Sequence, residues 1–141
     1  MKTLVGIAAA LLIAIGFWSD MFGQSKPLTT ASVAPDLPPI RGDASLLGQV
    51  LFNLIDNAVA HGNHVRIETA RTNDAFLIAV EDDGPGIAPE LYEDAFRPFS
   101  RLDETRTRHS KGVGLGLAIA RDVARGHGGD ITLGSSPLGG L

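Results

Sequence analysis

LLGQVLFNLIDNAVAH, from Leu46 to His61, is the stretch on which the reading of this chain turns. Apolar residues recur in it every three or four places, and two asparagines interrupt them four apart. At 3.6 residues per turn, Leu47, Leu51, Leu54 and Ala58 line one stripe of a helix. Asn53 and Asn57 stack along an adjoining edge, with His61 one turn further on, so two carboxamides and an imidazole share one strip. Asparagine is mildly unfavourable inside helices, so this edge either faces solvent or serves a ligand. Asp43 is placed to cap the helix from Ala44 onward, and Gly62-Asn63 supply a stop.

Working outward, His64 to Arg71 alternates Val65, Ile67 and Thr69 against Arg66 and Glu68. Thr72-Asn73-Asp74 then turns the chain into Ala75 to Val80, which predicts a β-hairpin. The second strand runs into EDDGPGI, Glu81 to Ile87, where two glycines and a proline forbid regular structure but let backbone approach a ligand closely. Pro89-Glu90 opens a short helix through Asp94, and Phe96 to Phe99 closes it. Ser100 to Val113 is polar and arginine-rich without apolar periodicity, which predicts a mobile loop. The segment GVGLGLAIARDVARGHGG follows, with helical spacing at Leu117, Ala120 or Arg121, and Ala124. Gly128-Gly129 end that helix, and Asp130 to Leu133 reads as a further strand. No repeat is visible. The order of elements predicts a two-layer α/β sandwich preceded by an apolar N-terminal helix.

The 141 residues suffice for one domain with a modest core, and the formal charge of -4 comes from intermixed signs with no basic run. Nucleic acid is therefore a poor partner. With no cysteine and four histidines outside metal-motif spacing, a zinc site is not expected. Residues 1–24 contain an unbroken apolar run from Leu4 to Trp18, longer than most signal-peptide cores and short of the roughly 20 residues that span a bilayer comfortably. A signal anchor and a cleavable signal both fit. The aromatic pair Phe17-Trp18 favours an uncleaved anchor. Residues 25–40, rich in Ser, Thr and Pro, read as a linker with a possible strand around Ala31 to Val33, and 41–141 as the globular domain.

Gly112, Gly114 and Gly116 precede a helix, and free backbone N–H groups at its positive end suit phosphate. Neither familiar phosphate motif fits them. A dinucleotide fingerprint needs a glycine that is absent, and in a Walker loop the lysine follows the glycine whereas Lys111 precedes it.

Four motifs in order are more specific: NLIDNA (Asn53 to Ala58), DDGPG (Asp82 to Gly86), FRPF (Phe96 to Phe99) and GVGLGLAIA (Gly112 to Ala120). Together they resemble the asparagine, first glycine, phenylalanine and second glycine boxes of the ATP-binding catalytic domain of sensor histidine kinases. That is the Bergerat (GHKL) fold, shared with DNA gyrase, Hsp90 and MutL, and the resemblance covers roughly Ser32 to Leu141. It implies that Asp82 accepts from the adenine amino group, since a buried acid selects adenine where guanine offers a carbonyl. It implies Asn57 as the Mg2+ ligand, Asn53 beside the phosphates in a catalytic role, and His61 as a weaker contact. Gly84 and Gly86 would close under the base. Ile87, Lys111, Val113, Leu115 and Leu117 join the glycines 112, 114 and 116 in the implied nucleotide pocket. Phe99 resembles the lid anchor, with an ordinary core phenylalanine as the alternative, and 100–113 resembles the ATP lid, with Arg101, Arg106, Arg108 or Lys111 as phosphate partners.

The chain departs from the family at Ala60, where many members carry Lys or Arg. It also shows no acceptor-histidine hairpin between Phe22 and Asp43, and no final strand after Pro137 to Gly140. The resulting expectation is a partial protein-histidine kinase of a two-component system. It would present MgATP for γ-phosphoryl transfer to a histidine on another domain or chain, which in turn serves a response regulator. The catalytic domain would face the cytoplasm at the inner membrane. The alternatives are an ATP hydrolase of the same superfamily and a non-catalytic nucleotide-binding module or truncated fragment. Hydrolases of this kind carry Glu where Asn53 stands, and asparagine cannot accept a proton near neutral pH.

Overall fold

The computed structural model describes residues 28–32, 34, 42–72, 75–100 and 114–141. The expected apolar segment before Gly23, the residues Lys111, Gly112 and Val113, and the body of the expected lid lie outside these. Among the described residues no helix is long and apolar enough to cross a membrane.

The elements are β1 (Leu28–Ser32), α1 (Ala44–His61), β2 (His64–Arg71), β3 (Phe76–Asp82), a 3-10 turn (Pro89–Leu91) leading into α2 (Tyr92–Ala95), and α3 (Gly116–Gly126). The strands form one sheet in the order β1-β2-β3. β1 and β2 are parallel, with α1 as the crossover between them, and β2 and β3 form the antiparallel hairpin. β1 starts three residues before the expected strand. Its continuation is tied down at Ala34, whose N–H donates to the buried Thr69 hydroxyl at 2.8 Å.

Both capping expectations for α1 hold. The Asp43 carboxylate accepts from Ser45 N at 2.8 Å and Leu46 N at 3.1 Å, and Gly62 N–H closes the last turn on Ala58 O. The buried face is Val50, Leu51, Ile55 and Ala58, while Leu47 and Leu54 of the expected stripe are half-buried. That face is turned because α1 meets two neighbours, the sheet and α3, instead of one. On the sheet, Val65 and Ile67 are 1% and 0% exposed and join the α1 residues in the core. Burial of each such side chain contributes about 1.5 to 3 kcal/mol.

Register carries this core to the site. Thr69 faces Ile78, Ile67 faces Val80 and Val65 faces Asp82, so the period-two alternation that buries the hairpin also points Asp82 inward. On the opposite face Arg66 pairs with Glu81 at 2.6 Å.

Helix α3 lies along α1 with small buried residues at Ala118 and Ala120. His127, just past its end, joins the two helices: Nδ1 donates to Val123 O at 2.8 Å, and Nε2 accepts from Asp43 N at 3.2 Å. This pairing assigns the proton to Nδ1.

One expected element is absent. Asp130 to Leu133 forms no ladder, although Ile131 and Leu133 are half-buried and Thr132 is exposed, as the alternation suggested. The Asp130 carboxylate is taken by Arg121 and Arg125 of α3 and by Ile131 N, which holds the start of the segment to the helix. Alternating burial needs only a packed extended chain, and a strand needs a paired edge as well.

Candidate functional site

Along the edge of α1, Asn53 and Asn57 are half-buried and His61 is exposed. Asn53 Nδ2 donates to Gly116 O at 3.3 Å, which binds this edge to the first turn of α3. The Asn57 carboxamide has no hydrogen-bond partner among the described residues. His61 contributes main chain, since its carbonyl lies 2.7 Å from where a Cβ on Gly84 would sit.

Across from this edge, at the end of β3, Asp82 is 4% exposed. Its Oδ1 accepts from Gly84 N at 2.8 Å and from Leu141 N at 3.5 Å. Oδ2 accepts nothing among the described residues. A buried carboxylate oxygen without a donor is costly, and it marks the place where a ligand donor would be satisfied. Asp82 thus also closes the turn that follows it, and it uses only one of its oxygens to do so. Gly84 has no room for a side chain, because a Cβ would also lie 2.8 Å from Asp82 Oδ1. Gly86 has φ +68°, a conformation that glycine adopts freely. Ile87 beside it is half-buried.

The neighbouring acid does different work. Asp83 accepts from Asn63 N and His64 N, and its Oδ2 lies 2.6 Å from His64 Nδ1. The His64 backbone and ring hold its carboxyl down to about 2. Asp83 thus caps the start of β2 and leaves Asp82 as the candidate ligand group.

At the base of the expected lid, Phe99 N–H donates to Gly114 O at 2.9 Å. Gly114 has φ +75°, and a Cβ there would lie 3.0 Å from Ser100 O, so a glycine is required. Phe99 is a non-glycine residue at φ +62°, a strained conformation held by that staple. The residue is 69% exposed, which removes the alternative of an ordinary core phenylalanine. The core position belongs to Phe96, buried beneath the Arg121 guanidinium at 4.1 Å. Gly116 is less constrained than its neighbours, since a Cβ would make only ordinary 3.9 Å contact with Asn53. Leu115 and Leu117 are half-buried, and the first turn of α3 receives no side-chain cap.

Arg121, which the sequence left as one option in a helical stripe, ties this base together. It binds Glu93 at 2.9 Å and Asp130 at 2.9 Å besides covering Phe96. The Arg121 hydrogen bond holds the Glu93 carboxyl below its usual value of 4.5, and Arg121 with Arg125 holds Asp130 below 3.8. Both groups are depressed in the folded chain, so their contribution to stability is present above those values and fades as pH falls through the folded ones. Arg121→Met is expected to lower the melting temperature by about 5 °C at pH 7, and the gap from the wild type should narrow in thermal melts below about pH 3. An unchanged gap at low pH would show that packing on Phe96 alone is responsible.

Residues 42–141 match the family described as histidine kinase-, DNA gyrase B- and HSP90-like ATPase. The chain belongs to this family. It is 41% identical over 127 residues to the sensor histidine kinase CpxA of Escherichia coli strain K12, covering 89% of this chain and 27% of that protein. The structure of full-length ShkA in complex with AMPPNP superposes with TM-score 0.80 at 26% identity, covering 96% of this chain and 28% of that one. The ATP binding domain of PrrB from Mycobacterium tuberculosis gives 0.70 at 29%, covering 95% and 87%. The chain therefore spans about a quarter of the length of the sensor kinase CpxA. The expected two-layer Bergerat sandwich is the fold observed.

Gly62 entered the sequence reading only as a helix stop, and Gly140 and Leu141 carried no site role there, yet all three abut Asp82. Only chain closure brings them there, and no local pattern marks them.

Proposed function

We propose that this chain is the ATP-binding catalytic domain of a two-component sensor histidine kinase, which presents MgATP for γ-phosphoryl transfer to a histidine on another domain or chain. The observation that carries the reading is the buried Asp82 carboxylate, with one oxygen held by backbone and the other lacking a donor among the described residues, which suits a donor such as the adenine amino group. Asn57 supplies a hard carboxamide oxygen, without a partner among the described residues, on the facing helix edge. A single protein donor suits Mg2+, which keeps several waters and takes its remaining ligands from phosphate oxygens. Bound there, the ion would offset charge on the phosphates.

The contribution of the chain is positional and electrostatic. Asp82 fixes the base, the glycine turn closes beneath it, and Asn53 is held beside the phosphates by its bond to Gly116 O. The uncapped N–H groups at the start of α3 favour negative charge. Residues 100–113 act as the lid, with Phe99 at its base. Phosphate would pass from the acceptor histidine to a response regulator. The apolar run Leu4 to Trp18 supports attachment to the inner membrane, with this domain on the cytoplasmic side.

Magnesium-dependent binding of a non-hydrolysable ATP analogue, followed by labelling of an added acceptor-histidine hairpin, tests the reading, and a chain that binds no ATP analogue overturns it. Asn53→Glu separates transfer from hydrolysis. It installs a base near the phosphates and is expected to raise steady phosphate release several-fold above the wild type. Unchanged release would count against Asn53 as the residue that withholds water activation.

A further inference from the structure

Asp82 is the last residue of β3, and a segment nearly sixty residues away completes its surroundings. Asp82 N donates to Leu141 O at 2.9 Å, and Gly140 N donates to Asp82 O at 3.1 Å, so the main chain is bracketed on both sides. Leu141 N also reaches Oδ1 at 3.5 Å, beside the Gly84 N–H. Gly140 is buried although Pro137, Leu138 and Gly139 before it are exposed. A Cβ on Gly140 would overlap Asp82 Oδ1 and lie 2.6 Å from both Asp82 O and Gly84 N. Two of these three atoms are backbone, so the crowding could not be relieved by a side chain swinging aside. The turn that delivers Gly140 is closed on itself: Ser136 N donates to Gly140 O at 2.9 Å, Gly139 N to Ser136 O at 3.0 Å, and Leu138 N to the Ser136 hydroxyl at 3.0 Å.

We infer that the Ser136–Leu141 turn, acting through the side-chain-free Gly140, sets the purine selectivity of Asp82, which makes Gly140 a specificity-determining positioning residue. The inference rests on the reading of Asp82 as the group that meets the base. Two backbone N–H groups hold Oδ1, and the absence of a side chain at residue 140 lets the carboxylate occupy that orientation with Oδ2 free of any donor among the described residues. A carboxylate so held accepts from an exocyclic amino group and leaves a 6-oxo group unpaired against it. Any group at residue 140 that displaces Oδ1 takes the open oxygen out of line. The loss then falls on the amino contact and spares the phosphate end of the nucleotide.

The experiment compares affinities of non-hydrolysable adenosine and inosine triphosphates, with magnesium, for the full chain. The wild type is expected to prefer adenosine by about thirtyfold, the scale of a buried hydrogen bond to a charged group. In Gly140→Ala the preference should fall to about threefold or less, with inosine affinity changing less than adenosine affinity. Gly134→Ala, where an added Cβ meets nothing within 4 Å, should keep the full preference. Circular dichroism and thermal melts establish that the variants are folded. If Gly140→Ala does not fold, Ser136→Ala loosens the same turn by removing one side-chain acceptor, and it should reduce the preference by about two- to threefold. A folded Gly140→Ala with wild-type preference overturns the inference, as does an unaltered Ser136→Ala where the glycine variant is unfolded. A wild type that binds both nucleotides equally overturns the adenine reading itself, and the inference with it.

Discussion

Replacing Asp82 with asparagine is expected to weaken binding of a non-hydrolysable ATP analogue by about 10- to 100-fold and to reverse the preference between 6-amino and 6-oxo purines. Gly84 N and Leu141 N both point at Oδ1 and require an acceptor there. The amide oxygen of an asparagine would take that place, which leaves its NH2 group where Oδ2 now stands open. Toward an adenine amino group this sets donor against donor, whereas toward a 6-oxo group it makes a matched pair. Loss for adenosine and gain for inosine in the same variant is a signature that general destabilisation does not produce. Asparagine has nearly the volume of aspartate, so the fold should survive. Equal titration of the adenosine nucleotide by wild type and variant would exclude Asp82 as the base contact.

Asn57→Ala should abolish the magnesium-dependent part of nucleotide affinity and reduce phosphoryl transfer by about 100-fold, the scale seen when one preorganised electrostatic contact is removed. The expected damage to the fold is small. Asn57 is half-buried and its carboxamide has no partner among the described residues, so truncation orphans no protein group. Asn57→Asp retains an oxygen at the same position and should recover part of the magnesium response. Binding measured with and without magnesium decides the point, because an alanine variant with an undiminished magnesium effect would place the ion elsewhere.

The two carboxylates of DDGPG illustrate what was legible in the chain. The strand expected to end at Val80 continues to Asp82, because the paired β2 strand extends the ladder to Val65, and the inward direction of Asp82 then follows from its parity with Ile78 and Val80. Asp83, one residue on, must face the other way, and there it meets His64 and Asn63. Helix α1 was equally legible, because its caps at Asp43 and Gly62 are local chemistry. The strand expected at Asp130 to Leu133 was not, since its alternation is real but Asp130 is committed to Arg121 and Arg125. Phe96 and Phe99 lie three apart in one motif with the same ring. Which of them is buried depends on Arg121, which arrives from another helix.

By itself, the sequence determined the elements with local causes: the asparagine edge of α1, the hairpin and its parity, the glycine turn after β3, and the order of motifs that marks the family. Tertiary structure alone decided which atoms those residues expose. Asn53 became a bridge to Gly116, Phe96 took the core position while Phe99 stayed exposed, and the Asp82 carboxylate, already held by the nearby Gly84 N–H, was crowded by Gly140 and reached by Leu141 N. The physical reason is range. Capping and alternation act over a few residues and leave a mark in composition, whereas a steric gap beside a carboxylate is made by backbone nearly sixty residues away and leaves no periodic trace.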